Sequence, residues 1–319
     1  MLEKRMELLV SFPSGMQQFT VYERQETVSR EIREFRRKLE KLTTWEFLPH
    51  AQKLYDYLIR PLEKELSSFT PDTLVFVPPG PLRTVPMAAL HDGNQFLVQK
   101  YASAVTVGLN LVDPTPIKRN ELKILAVGIT KASQGFPPLP EVASELQNIS
   151  KLFPSKLLLN QDFLISNMEQ DLKKDEFNIL HIASHGQFQG DADRTFILAF
   201  NEKLTLGTLD KYAGFLQFRN TPLELLALSA CESAAGDDLA ALGMAGVAVK
   251  AGARSALATL WFINDMASSL MIKQFYLQIK NPSVSRAVAL QRAQLSLLED
   301  SRYEHPGYWS PFLLINNWL

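Results

Sequence analysis

Past residue 122 the chain alternates short, unbroken apolar runs with longer stretches of helical periodicity, and this rhythm restricts the fold more than any other feature. Strands are expected at Lys123–Val127, Lys156–Leu159, Ile179–Ala183, Phe196–Phe200, Leu223–Ser229 and Ser255–Leu260. Helices are expected near Val142–Phe153, Ile165–Lys173, Leu239–Lys250, Asp265–Lys280 and Ser285–Leu298. A strand that is apolar at every position has both faces covered, as in a parallel sheet lying between helices. Parallel neighbours also need a crossover, which the intervening helices supply. The expected class is therefore α/β, a three-layer α/β/α sandwich with a mainly parallel sheet.

The first part of the chain reads differently. Residues 7 to 22, "LLVSFPSGMQQFTVYE", put β-prone residues on either side of a Pro-Ser-Gly turn and predict a hairpin. From Thr27 to about Leu66, apolar residues fall at helical spacing (Ile32, Phe35, Leu39; Phe47, Leu54, Leu58, Leu62) and predict two surface helices. A buried strand at Leu74–Val77 then runs into Pro78, Pro79, Gly80 and Pro81, which can continue neither strand nor helix. A polar, proline-bearing connector at 113–121 sets the expected division: residues 1–118 form an N-terminal lobe of hairpin and helices, and 119–319 a second lobe.

In an open parallel sheet, ligands bind outside the carboxyl ends of the strands. Two reactive side chains are expected there. "FNILHIAS" runs apolar and stops at His185-Gly186; "LELLALSA" runs apolar and stops at Cys231, the only cysteine among the 319 residues. An imidazole can take the proton of a thiol and later return it to a leaving amine. Gly186, lacking a Cβ, lets its backbone N–H approach an oxyanion, with the N–H of Cys231 as second donor. A lone cysteine at a strand end is usually a small buried hydrophobe, but His-Gly followed by Ala-Cys about 50 residues later matches caspase-type spacing. His181 lies four residues before His185, yet "HIASH" has no glutamate of the zinc-protease motif and sits on a strand, so no metal site is expected, and no cofactor. An acidic loop motif for calcium is also missing.

Lysine and arginine total 33 against 34 acidic residues, so the chain carries no electrostatic footprint for nucleic acid or an anionic membrane. The charged start "MLEKRMELLV" lacks a signal peptide's apolar core, and a single cysteine suits a reducing compartment, so the expected location is cytoplasmic.

Four stretches resemble the CHAT family, caspase-like domains of bacteria related to separase and often joined to tetratricopeptide repeats. They are "LVFVPPGPLRTVPMAAL" (74–90), "LHIASHG" (180–186), "LSACESAAG" (228–236) and "AGARSALATLWFIND" (251–265), with "HPGYWSPFLLINNW" (305–318) closing the chain; together they span about 70–319. The resemblance implies a caspase-like fold and a cysteine endopeptidase with His185 as base, Cys231 as nucleophile, and Gly186 and Cys231 as oxyanion donors. It further implies an acidic side chain that receives a basic residue before the scissile bond, with Asp265 the first candidate and Asp237 and Glu232 behind it. Asp265 would serve equally as an N-cap. The expected partner is a protein or peptide substrate, with a regulatory partner or repeat region gating access. No tandem helical repeat is present in the sequence, so the chain is either an excised domain or lacks the repeats. The segment before 118 would correspond to a pseudo-protease lobe, and 185–200, polar at its Gly190–Asp193 centre, to a mobile loop. The alternative is a catalytically silent signalling module that binds a partner through the same cleft.

Overall fold

The computed structural model describes residues 1–109, 114–174, 176–188, 195–205, 207–208, 223–229, 231–233 and 252–319, with Phe188 and 231–233 described in backbone alone. The helix expected at Leu239–Lys250, the centre of the 185–200 loop and Asp237 lie outside the described residues.

The hairpin forms as expected from β1 (Met6–Phe12) and β2 (Gly15–Val21), with Gly15 at φ 120° where a side chain would be strained. Three helices follow where two were expected: α1 (Gln25–Leu39), α2 (Leu48–Leu58) and α3 (Glu63–Phe69). They are less superficial than the spacing suggested, since α1 buries Val28, Ile32, Phe35 and Leu39 completely. The next strands are β3 (Thr73–Phe76), β4 (Ala102–Val105), β5 (Ile124–Gly128), β6 (Ser155–Leu159) and β7 (Ile179–Ala183). After these come β8 (Gly186–Phe188), β9 (Phe196–Ala199), β10 (Glu202–Thr205), β11 (Leu223–Leu228), β12 (Cys231–Ser233), β13 (Ala253–Thr259) and β14 (Phe312–Asn316). The later helices are α4 (Val142–Leu152), α5 (Ile165–Lys173), α6 (Asp265–Ile279) and α7 (Arg286–Leu298).

Among the described residues the main sheet has eight strands, in the order β3-β4-β14-β13-β11-β7-β5-β6. Every pairing is parallel except β13 with β14. β5, β7 and β11, apolar at nearly every position, are buried along their whole length, which is why they occupy the interior of the sheet. Helices pack on this sheet, with α4 against β5, β6 and α6, and α6 against α7, giving the expected α/β/α sandwich. The sheet runs across the sequence boundary at 118, because β3 and β4 join it through the C-terminal strand β14.

Two expectations are corrected. The run at 74–77 is an edge strand, half-buried rather than buried, since only β4 flanks it. Phe196–Ala199 belongs to a second, four-stranded sheet, β10-β9-β8-β12, where it pairs antiparallel with both neighbours. Its four buried apolar residues mimic a central parallel strand, but a short hairpin to β10 satisfies its backbone instead.

Gly128, at the end of β5, sits where strand meets helix. A Cβ there would lie 2.6 Å from Val142 Cγ1 on α4 and 2.8 Å from the Ala183 carbonyl oxygen on β7. Gly128→Ala is expected to cost about 1–3 kcal/mol through overpacking, read as a lower urea midpoint. A variant as stable as the parent would mean that β5, α4 and β7 are not held at this spacing.

Candidate active site

β7 and β11 are parallel neighbours, with Ile182 facing Leu228. Beyond them the chain continues into β8 and β12, also parallel, where Gly186 faces Cys231. Three residues separate the paired positions on the histidine strand (183–185) and two on the cysteine strand (229–230), so the ladder shifts register at this break. An extra residue on one strand removes it from the ladder and redirects its side chain, a device common beside active sites. His185 is the last of the three, one residue from the position opposite Cys231. Neighbouring strands lie about 4.8 Å apart, so the backbones bearing the imidazole and the thiol are adjacent.

The imidazole of His185 is 7% exposed and held on three sides. Its Nε2 lies 2.8 Å from the Pro137 carbonyl oxygen. A carbonyl only accepts, so Nε2 carries a proton and donates it. In the neutral ring Nδ1 is then the free base. The ring lies against Phe136 (centroids 5.1 Å) and stacks on Phe262 (6.1 Å, 19° between planes). Phe262 is itself 44% exposed, a large apolar side chain left in solvent beside the histidine. The His185 carbonyl accepts the Leu198 N–H at 2.8 Å and Ser184 Oγ donates to the Leu198 carbonyl at 2.7 Å, tying the turn after β7 to β9.

Asp265 is the first residue of α6, half-buried. It is not the N-cap: Asn264 holds that position, its side chain accepting the Ala267 N–H at 3.2 Å. Asp265 Oδ2 instead accepts the Glu141 N–H at 2.8 Å, joining the start of α6 to the start of α4. Burial pushes its carboxyl pKa up; the Glu141 N–H opposes this, Glu145 and Glu141 add to it by repulsion, and His185 attracts the charged form. Asp265 is thus electrostatically in range of His185.

The backbone of Glu232 lies in β12 opposite Gln187, and its side chain, like that of Cys231, lies outside the description. The structure therefore brings His185, Gly186, the Cys231 backbone and Asp265 to one region. Sequence reasoning missed Phe136, Pro137 and Phe262. Nothing in "GFPPLP" or "LWFIND" indicates a histidine partner, because the contacts span 48 residues for Pro137 and depend on the fold. It also missed Glu145, which had a signal: it falls on the apolar stripe of α4 formed by Val142, Leu146 and Ile149 and is 2% exposed. No helix among the described residues is long and apolar enough to cross a membrane.

The family model of the CHAT domain matches residues 48–317. No curated protein matches the sequence. Among solved structures, the Arg-specific cysteine proteinase gingipain R aligns with a TM-score of 0.51 at 8% identity, covering 92% of this chain and 73% of that one. The complex of the pro- and mature domains of RgpB from Porphyromonas gingivalis aligns at 0.52 and 8%, covering 92% and 75%. Separase in the Saccharomyces cerevisiae separase–securin complex aligns at 0.50 and 14%, covering 82% of this chain but 18% of the separase chain. This chain is thus similar to less than a fifth of separase, and at these identities the likeness is one of fold.

Proposed function

The chain belongs to the CHAT domain family, and from that premise we propose that it is a cysteine endopeptidase whose His185 and Cys231 form the catalytic dyad. The observation that carries this reading is the pairing of Cys231 with Gly186, next to a histidine whose Nε2 proton is already committed to Pro137. A fixed Nε2–H selects the tautomer in which Nδ1 can accept the thiol proton.

In the first step Nδ1 takes the Sγ proton, and the sulfur forms a bond to the scissile carbonyl carbon. The oxyanion would accept from the Gly186 and Cys231 N–H groups. Collapse breaks the C–N bond as His185 returns its proton to the leaving amine, leaving a thioester. Water then attacks, its proton passing to His185, and the C–S bond breaks to release the carboxylic acid and the thiol. Phe262 would form an apolar wall for the substrate beside the dyad.

Asp265 is proposed to receive a basic residue preceding the cut, with Asp237 and Glu232 as the remaining acidic candidates. Its second oxygen is not needed for the Glu141 contact, and gingipain R, of the same fold, is named as Arg-specific. Residues to 118 are proposed as a lobe that supports the peptidase lobe, and a protein partner or attached repeat region as the gate. Two of the three comparison structures hold a second protein body, a pro-domain with RgpB and securin with separase.

The test is hydrolysis of fluorogenic peptides differing in the residue before the cut. Cleavage after arginine or lysine is expected, with Asp265→Asn lowering kcat/KM for those peptides about tenfold or more and sparing peptides with an apolar residue there. Equal losses on all peptides would remove Asp265 from specificity and leave it a link between α4 and α6. Partner binding through an intact cleft with no turnover, unchanged in Cys231→Ala, would favour the silent-module reading.

A further inference from the structure

We propose that Glu145 is a positioning residue, a buried carboxylate on α4 that fixes the two strands ending in His185 and Cys231 relative to each other. The proposal rests on the dyad reading above. Glu145 Oε1 accepts from His181 Nε2 at 2.7 Å and from Ser229 Oγ at 2.7 Å. His181 lies on β7, fully buried, four residues before His185; Ser229 follows β11, 2% exposed, two residues before Cys231. One oxygen atom therefore ties together the approaches to both reactive side chains.

The location of these bonds matters. Regular pairing of β7 with β11 stops at Ile182 and Leu228 and resumes, shifted, at Gly186 and Cys231. Within that break the two strands lack paired residues, and a one-residue slip there would carry the imidazole away from the thiol. Ser229 sits within the break and is held from three directions. Its N–H donates to the Ile182 carbonyl at 3.1 Å, its hydroxyl to Glu145, and its carbonyl accepts Ser268 Oγ from α6 at 2.7 Å.

The same helix reaches the other site residues. The Pro137 carbonyl that accepts the His185 Nε2–H bond lies just before α4, and the Glu141 N–H at its start donates to Asp265. Space for the network is built into the sheet, since the residues beside His181 on β5 and β11 are Ala126 and Ala227, both fully buried. Tyr276 on α6 completes it, its hydroxyl 3.3 Å from His181 Nδ1. Burial and the Glu145 charge raise its pKa well above the ordinary phenol value, so it remains a hydroxyl able to donate to Nδ1. Taking a carboxylate out of water is costly, and an apolar side chain here would serve packing as well or better. What the carboxylate adds is one oxygen that accepts from both strands with defined geometry.

The test reads the thiol directly. Cys231 is the sole cysteine, so the rate of alkylation of the whole protein by iodoacetamide against pH gives its pKa. In the parent a midpoint clearly below the ordinary ~8.5 is expected. Ser229→Ala, which removes one hydroxyl with little change of shape, is expected to raise that midpoint by about one unit, with the urea midpoint near the parent's. Glu145→Leu is expected to do the same or more, and Glu145→Gln, which keeps an acceptor oxygen, to restore most of the parental value. Should Glu145→Leu fail to fold, Ser229→Ala and Glu145→Gln still decide the matter. An ordinary thiol in the parent would overturn the dyad and this proposal with it. A lowered thiol pKa in the parent that survives Ser229→Ala unchanged would overturn the positioning role alone. So would Glu145→Gln behaving as a folded Glu145→Leu does.

Discussion

Replacing His185 by alanine is expected to lower kcat/KM for a cleavable peptide by about 10²–10⁴-fold, the range that a positioned general acid–base group contributes. Two separate effects act in the same direction. The thiol loses the base that takes its proton, and the leaving amine loses the acid that protonates it, so both halves of the reaction slow. The loss should fall mainly on kcat, because the imidazole is 7% exposed and offers little surface for ground-state binding. His185→Gln should not rescue, since an amide cannot accept and return a proton near neutral pH. The same substitutions should leave the fold intact: β7 ends two residues earlier, and the Leu198 N–H bonds the backbone carbonyl of residue 185, not its ring. A variant that folds normally and retains activity within a few fold would remove His185 from the chemistry.

The second large effect lies on the N-terminal helix. Arg36 of α1 is 5% exposed, and its guanidinium donates to the Leu260 carbonyl at 2.7 Å and to the Thr84 carbonyl at 3.4 Å while pairing with Glu40. It also lies 4.3 Å from the centre of the Trp261 ring, whose indole N–H donates to the Gly307 carbonyl at 3.2 Å. Burial disfavours the charge, so its partners offset a real cost. Arg36→Met keeps the length of the side chain but leaves two carbonyls and a carboxylate without their donor. The expected loss is about 3 kcal/mol, with a fall in Tm of roughly 5–10 °C. The segment that loosens is the end of β13, from which Phe262 reaches His185 and Asp265 begins α6, so kcat/KM should also fall at temperatures where the variant remains folded. A change below about 1 kcal/mol would show that water replaces the guanidinium at these carbonyls. Arg36 precedes residue 48, where the family match begins, so a helix outside the matched region braces the loop beside the site.

How much of this was legible depended on how local each signal was. The apolar runs that end at His185-Gly186 and Ala-Cys231 pointed to the candidate site because a strand interior and its abrupt polar end are both written in consecutive residues. The hairpin was legible for the same reason, its turn residues lying between its strands. Phe312–Asn316 was not recognised as a strand. It takes its place between β4 and β13, partners that are distant in sequence, and a run of that length has no periodicity to distinguish strand from core helix. The second sheet was hidden because β9 carries the composition of a central strand while pairing only with short neighbours. At the site, side chains could be nominated from their chemistry, but the Pro137 carbonyl could not, since every residue has one. His181 was noticed and set aside as a metal ligand; its actual partners, Glu145 and Tyr276, come from α4 and α6, which only the folded sheet brings to it.

The most direct measurement is intact mass spectrometry of the purified protein after incubation with peptidyl electrophiles that differ in their terminal residue, run beside Cys231→Ala and His185→Ala. The account predicts a single adduct, strongest with an arginine or lysine probe, absent in Cys231→Ala and slowed by at least about 10²-fold in His185→Ala. Equal labelling of the parent and His185→Ala would contradict it, because the thiol would then be reacting without the histidine.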